Sequence, residues 1–163
     1  MELSIKEIIT LLGLLSAAIW FYWTQKFKPR VEFYVDCEFF RSNSDSDNVI
    51  AEIRFVFKNR GFVQHIIKHL ELSVHGLMDD SRIICNEKNQ NVIFKDKIFE
   101  RSSVVPIGWY FWVRPNVNQV ITKVISIDKR HSVIRVVAGF SYTDSKKSKH
   151  TAQKVFQVPD NNA

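Results

Sequence analysis

The chain is poor in residues that make covalent staples or sharp backbone breaks. It has 2 cysteines in 163 residues, Cys37 and Cys85, and neither sits at a CxxC or Cys/His ligand spacing. That leaves no basis for a disulfide-dense scaffold or a cysteine metal knuckle. In a cytosolic domain both thiols are expected to be reduced and buried as small apolar groups; in an exported one they could pair. The 4 prolines and 5 glycines are too few for a long flexible linker or a low-complexity tract. No internal repeat is visible.

Catalytic signatures are missing as well. The sequence holds no GxGxxG, no phosphate-binding GxxxxGK[ST], no HExxH and no GxSxG. No order of Ser, His and carboxylate suggests a nucleophile beside its base, so neither an enzyme nor a cofactor is expected. His65 and His69 are the one pair at a metal-binding separation. On a helix they would share a face and could take zinc. On the strand inferred below they stand about 13 Å apart at ~3.3 Å per residue and cannot chelate one ion. Asp45 and Asp47 lie in a Ser/Asn-rich loop that lacks the glycine and distal glutamate of a calcium loop, and read as solvated.

Between Glu7 and Lys26 there is no charge at all. The run from Ile8 to Trp23 is apolar except for Thr10 and Ser16. As a helix, roughly 18 residues at ~1.5 Å rise reach about 27 Å, close to the ~30 Å hydrocarbon thickness of a bilayer. The sequence therefore predicts a leader over 1–7, a transmembrane helix over 8–25 and a basic juxtamembrane segment over 26–30. A retained anchor is expected rather than a cleaved signal peptide. The leader carries Glu2 and Glu7 beside Lys6, and the run ends in Trp20, Phe21, Tyr22 and Trp23, an aromatic belt suited to a membrane interface. Pro29 is expected to end the helix.

Lys26, Lys28 and Arg30 on the C-terminal flank outweigh Lys6 and the terminal amine, which places the following domain in the cytoplasm. Trp20, Tyr22, Trp23, Lys26, Lys28 and Arg30 are the expected anchor interface. Gly13 and Ala17 form a small-xxx-small pair that can bring two spans together as a homodimer. The net charge of +6 and pI near 9.4 suit nucleic acid or an anionic membrane surface. With a span in hand the bilayer accounts for it, at roughly 1 kcal/mol per basic residue near the headgroups.

From Val31 the hydrophobic period changes to two. Val31, Phe33, Val35, Cys37 and Phe39 alternate with Glu32, Tyr34, Asp36, Glu38 and Phe40, as in a half-buried strand. After the polar stretch Arg41 to Asn48, Val49, Ala51, Ile53, Phe55 and Phe57 alternate again. Asn59-Arg60-Gly61 is expected to break that strand with a left-handed residue. A third strand is predicted from Ile66 to Leu77, with Gly76 and Asp79-Asp80 marking the next turn. Short apolar runs follow at 82–85 and 92–94, and 86–103 has no clear period. Val105 to Val113 alternates cleanly and Pro115 ends it; Val120 to Ile127 is weaker. Ile134 to Tyr142 and Ala152 to Val158 read as a hairpin around the tip Thr143 to His150. Hydrophobic and charged shares of 45% and 25% suit a folded head. The fold class is all-β, an antiparallel Ig-like sandwich over 31–159 with a tail at 160–163.

The N-terminal span, the strand-turn FVFKNRGF (Phe55 to Phe62) and the closing IRVVAGFSYTD…KHTAQKVFQV hairpin resemble small uncharacterised bacterial membrane proteins that carry an Ig-like sandwich. Antibody-type domains place a Trp between two cysteines, whereas Trp109 and Trp112 both follow Cys85. The resemblance therefore implies the sandwich shape without its core disulfide, and implies no activity.

Two contact surfaces stand out. Tyr110, Trp112 and Arg114 put exposed aromatics beside a basic residue, a pattern compatible with a nucleic-acid face or with a docking surface for a protein, which is preferred here. Lys146, Lys147 and Lys149 crowd a hairpin tip and are candidates for lipid headgroups or another anion. The expected function is a non-catalytic interaction module, anchored in the cell membrane, presenting its cytoplasmic β domain to a partner protein. The alternative is a sensor whose β domain binds a small anionic ligand and acts through self-association of the span.

Overall fold

The computed structural model describes residues 4–27, 30–41, 47–78, 92–106, 108–142 and 150–159. Among them α1 (Ile5–Phe27) is followed by β1 (Val31–Arg41), β2 (Asn48–Asn59), β3 (His65–Ile67), β4 (His69–Met78), β5 (Asp96–Ser103), β6 (Phe111–Val113), β7 (Asn118–Asp128), β8 (His131–Ser141) and β9 (His150–Gln157).

α1 starts before the charge-free run does. The Ser4 amide donates to Glu7 Oε2 at 2.8 Å and the Lys6 amide to Ser4 Oγ at 3.3 Å, a capping arrangement that begins the helix at Ile5 rather than Ile8. The helix ends at Phe27, short of Pro29, and at 23 residues is about 34 Å long. Its hydroxyls are satisfied within the helix: Thr10 donates to the Lys6 carbonyl, Ser16 to Gly13 and Thr24 to Phe21. That removes the cost of placing them in a hydrocarbon environment.

The strands form antiparallel sheets of order β1-β2-β7 and β5-β4-β8-β9, plus a short β3-β6 ribbon. The predicted alternation holds in both sheets. Val35, Ala51, Ile53, Phe55 and Phe57 point inward from the first; Leu70, Leu72, Val74, Ile134, Val136, Ala138 and Phe140 do so from the second. All belong to one apolar core. Phe33 and Phe57 stack at 4.8 Å, and both meet Phe140 of the facing sheet edge-on, at 5.0 and 5.3 Å. Burying each such side chain stabilises the fold by roughly 1.5–3 kcal/mol. Cys37 is a half-buried free thiol on this inner face, and burial pushes it up to about 12. Cys85 and the run at 82–85 lie outside the described residues.

Several expectations need correction. The single strand over 66–77 is two, because the chain changes partners at Lys68. The Lys68 amide donates to the Ser141 carbonyl at 3.2 Å, β3 leaves to pair with β6, and β4 joins the larger sheet. Gly76 is no turn marker. It lies inside β4 opposite Ile134 and Asp96, where a Cβ would stand 2.3 Å from His131 Cδ2 and 2.7 Å from Ile98 Cδ1. Glycine is required there by close approach.

No residue from Asn59 to Gly61 is left-handed; among the described residues Gly108 (φ 84°) and Asn116 (φ 59°) are. β2 ends instead because the buried Asn59 side chain hydrogen-bonds nearby backbone. The strand expected over 105–113 forms only at Phe111–Val113, because a turn closed by the Trp109 amide on the Pro106 carbonyl at 3.0 Å precedes it. β5 lies in the stretch with no readable period, and the run at 92–94 forms no strand. β7 is longer than its weak pattern suggests because β2 pairs with it along its length. The closing hairpin forms as expected, with Val133 opposite Gln157 and Phe140 opposite His150.

Candidate anchor and docking surfaces

No side chain in the apolar window Ile5–Thr24 is buried. Trp20, Phe21, Tyr22 and Trp23 are all exposed. Successive residues advance about 100° around a helix, so this quartet rings it, as an interfacial belt requires. Gly13 and Ala17 share an exposed face, and a Cβ on Gly13 would meet nothing within 4 Å. Lys26 lies within α1, its side chain outside the described residues together with Lys28; Arg30 is exposed just before β1.

The register fixes which end of the β domain meets the helix. Val31 opposes Asn59, and Lys58 opposes Asn118. The Phe33–Phe140 and Phe57–Phe140 contacts bring the end of β8 to the same pole, and with it the starts of β4 and β9. The β3-β6 ribbon caps this pole: Ile67 and Val113 are buried, and Phe111 meets Phe57 edge-on at 5.1 Å.

Asn59 organises the pole. Its Nδ2 donates to the carbonyls of Val63 at 2.8 Å and Val113 at 3.0 Å, and its Oδ1 accepts from the Gly61 amide at 2.9 Å. Its backbone carbonyl accepts from the Asn116 amide at 3.1 Å. One asparagine thus holds both the loop after β2 and the turn after β6. Sequence reasoning noted Asn59 only as a strand breaker; nothing in its neighbours announces contacts more than fifty residues away.

Tyr110 and Trp112, read from the sequence as a contact pair, are together: the rings stack 6.3 Å apart with planes 27° apart. Trp112 opposes Ile66 in the ribbon, and both are exposed. Arg114 follows, exposed. Lys146, Lys147 and Lys149 lie outside the described residues; the strands flanking them end at this same pole. Phe62, 76% exposed, and Val117 were not singled out from sequence, because an apolar residue in a loop has no periodic neighbours to flag it.

His65 and His69 do not converge. They belong to separate ladders; His69 Nε2 meets Glu71 Oε1 at 2.9 Å while His65 packs on Tyr142 at 5.4 Å between ring centres. Among the described residues no group of His, Cys, Asp and Glu is arranged to hold a metal; Asp45 lies outside them. Two open hollows are mixed in charge. One of about 370 Å³ lies over Ser73, Val137 and Gly139, with Arg101 ion-paired to Glu71 at its rim. Another of about 670 Å³, at the pole away from the helix, sets Lys95 and Lys97 against Asp96 and Asp128.

No protein-family model matches the chain, and no curated protein matches it. Among solved structures it is similar to a Bordetella pertussis protein described as ApaA, at 9% identity and TM-score 0.49, covering 80% of this chain and 95% of that one. A structural-genomics target protein aligns at 12% identity and TM-score 0.48, covering 82% and 89%. A protein from Archaeoglobus fulgidus aligns at 8% identity and TM-score 0.40, covering 80% and 98%.

Proposed function

We propose that this protein is a non-catalytic interaction module anchored in the cell membrane by α1, with an Ig-like β-sandwich head on the cytoplasmic side. The observation that carries this reading is a helix whose window Ile5–Thr24 is unburied, with no charge between Glu7 and Lys26, ringed by aromatics and joined within a few residues to a β domain. An apolar surface of that length left unburied suits an apolar medium. The head meets a partner protein through the exposed Tyr110–Trp112 stack and Arg114, since exposed aromatics beside an arginine suit a docking surface. Tethering to the bilayer raises the effective concentration of the head toward membrane partners. The sensor alternative draws less support, because the charges lining both hollows are mixed rather than uniformly basic.

The test is affinity capture of the full-length chain from detergent-solubilised membranes, compared with Y110A/W112A. A specific protein retained by the parent and lost in the variant supports the reading. Capture that is identical for both, or empty for the parent, overturns it. A cytoplasm-active reporter fused after Ala163 should be active; silence from it reverses the orientation.

A further inference from the structure

We propose that the helix-side pole of the β domain rests on the headgroups of the same bilayer that holds α1, through Phe62 and Val117 with Arg30 and Arg60 beside them. The proposal rests on the anchor reading above and adds a second membrane contact, distinct from the Tyr110–Trp112 protein surface.

Chain length supplies the first argument. α1 ends at Phe27 and Arg30 is already fixed to the domain, its carbonyl accepting the Arg60 amide at 2.8 Å. The intervening chain can reach only about 10 Å at full extension. With the helix in the bilayer, this pole stays close to the headgroup region, whose depth of about 5–8 Å per leaflet is of the same order as that reach.

The second argument is what the pole displays. The Arg60 amide donates to the Arg30 carbonyl at 2.8 Å and a Cβ added at Gly61 would stand 3.8 Å from the Arg30 Cβ, so the loop that carries Phe62 lies against the end of the tether. Asn59 fixes that loop and the turn carrying Val117 to one base. Phe62 is 76% and Val117 45% exposed, from loops far apart in sequence. An isolated aromatic at a loop apex costs little at a lipid interface and gains from burial there.

Charge is the third argument. Arg30 and Arg60 are both exposed at this edge, and the acidic group paired with Arg60 is Glu32, at 3.0 Å. That pair is itself exposed, so an anionic headgroup can compete for the guanidinium. The occupant that fits is therefore an anionic lipid surface.

The experiment is photo-crosslinking of the full-length chain in vesicles of phosphatidylcholine with or without phosphatidylglycerol. Benzoylphenylalanine is placed at Phe62, at Trp112, or at Trp20 within the span, and lipid adducts are read by mass. The proposal predicts lipid adducts at Phe62 that rise with phosphatidylglycerol, fall with salt and fall in R60E, with markedly fewer at Trp112. Adducts at Trp20 without adducts at Phe62 overturn it and leave the anchor standing. No lipid adduct at Trp20 removes the anchor reading itself. Protein adducts in place of lipid at Phe62, in native membranes, assign the pole to a protein and also overturn it.

Discussion

Asn59 shows how much one buried side chain can hold. It satisfies two carbonyls and one amide from separate loops. Asn59→Ala leaves those groups buried without partners, at a cost of about 1–3 kcal/mol. Denaturant titration of the full-length chain in detergent should show a midpoint lowered accordingly. Gly76→Ala fails for a different reason. The added methyl meets the buried His131 ring and Ile98, and overpacking of this kind costs about 1–3 kcal/mol. Combining it with H131A should return part of that loss, which thermal melts of the single and double variants will measure. Neither role was legible in the sequence. The glycine in the motif LSVHGLM looks like punctuation because a close approach by a distant side chain leaves no local trace.

His65 and His75 are both held below the ordinary histidine range, chiefly by burial, with Arg135 and then Lys97 adding to it at His75. Both therefore bind protons more weakly folded than unfolded. Their contribution to stability is complete above about pH 6.5 and is lost as pH falls through the lowered values. The denaturation midpoint should fall between neutral pH and pH 5, and the fall should be smaller in H65N. An unchanged slope in H65N would remove His65 from this account.

At the scale of elements, strands with one buried face were the readable part. β1, β2, β4 and β8 bury one face each, so their period of two appears directly in the sequence. β5 was hidden because it is an edge strand with most of its residues exposed and a register shift against β4. The β3/β4 boundary was hidden because Ile66 shares the parity of Leu70, Leu72 and Val74, although in β3 it is Ile67 that is buried. The opposite error occurred over 105–113, where alternation was present but a turn with Gly108 at positive φ interrupts it. β1 and β9 are edge strands of different sheets, and Lys154 Nζ reaches Asp36 Oδ1 at 3.1 Å between them. The pair lies in solvent and is worth at most about 1 kcal/mol, which a double-mutant cycle of D36N and K154M will measure. α1 makes a separate prediction. If Gly13 and Ala17 form a self-association seam, G13I should weaken dimer crosslinking in membranes severalfold while leaving membrane insertion unchanged.

At the scale of the whole molecule, the helix and the β domain are joined at one pole. The reach of the connection holds for any tilt of the helix. If α1 spans a bilayer as proposed, the belt Trp20–Trp23 and the loops around Asn59 lie near one face of it. The long apolar helix was legible in the sequence because its apolar residues are contiguous. The domain pole was not, because it assembles residues from three separate loops.

The measurement that tests this arrangement most directly is the intact mass of the chain recovered from alkaline-washed membranes. The account predicts a membrane-retained species that still contains the residues from Ser4 through the aromatic belt. A chain that is released into the wash, or whose mass places its first residue near Ile19, would contradict it.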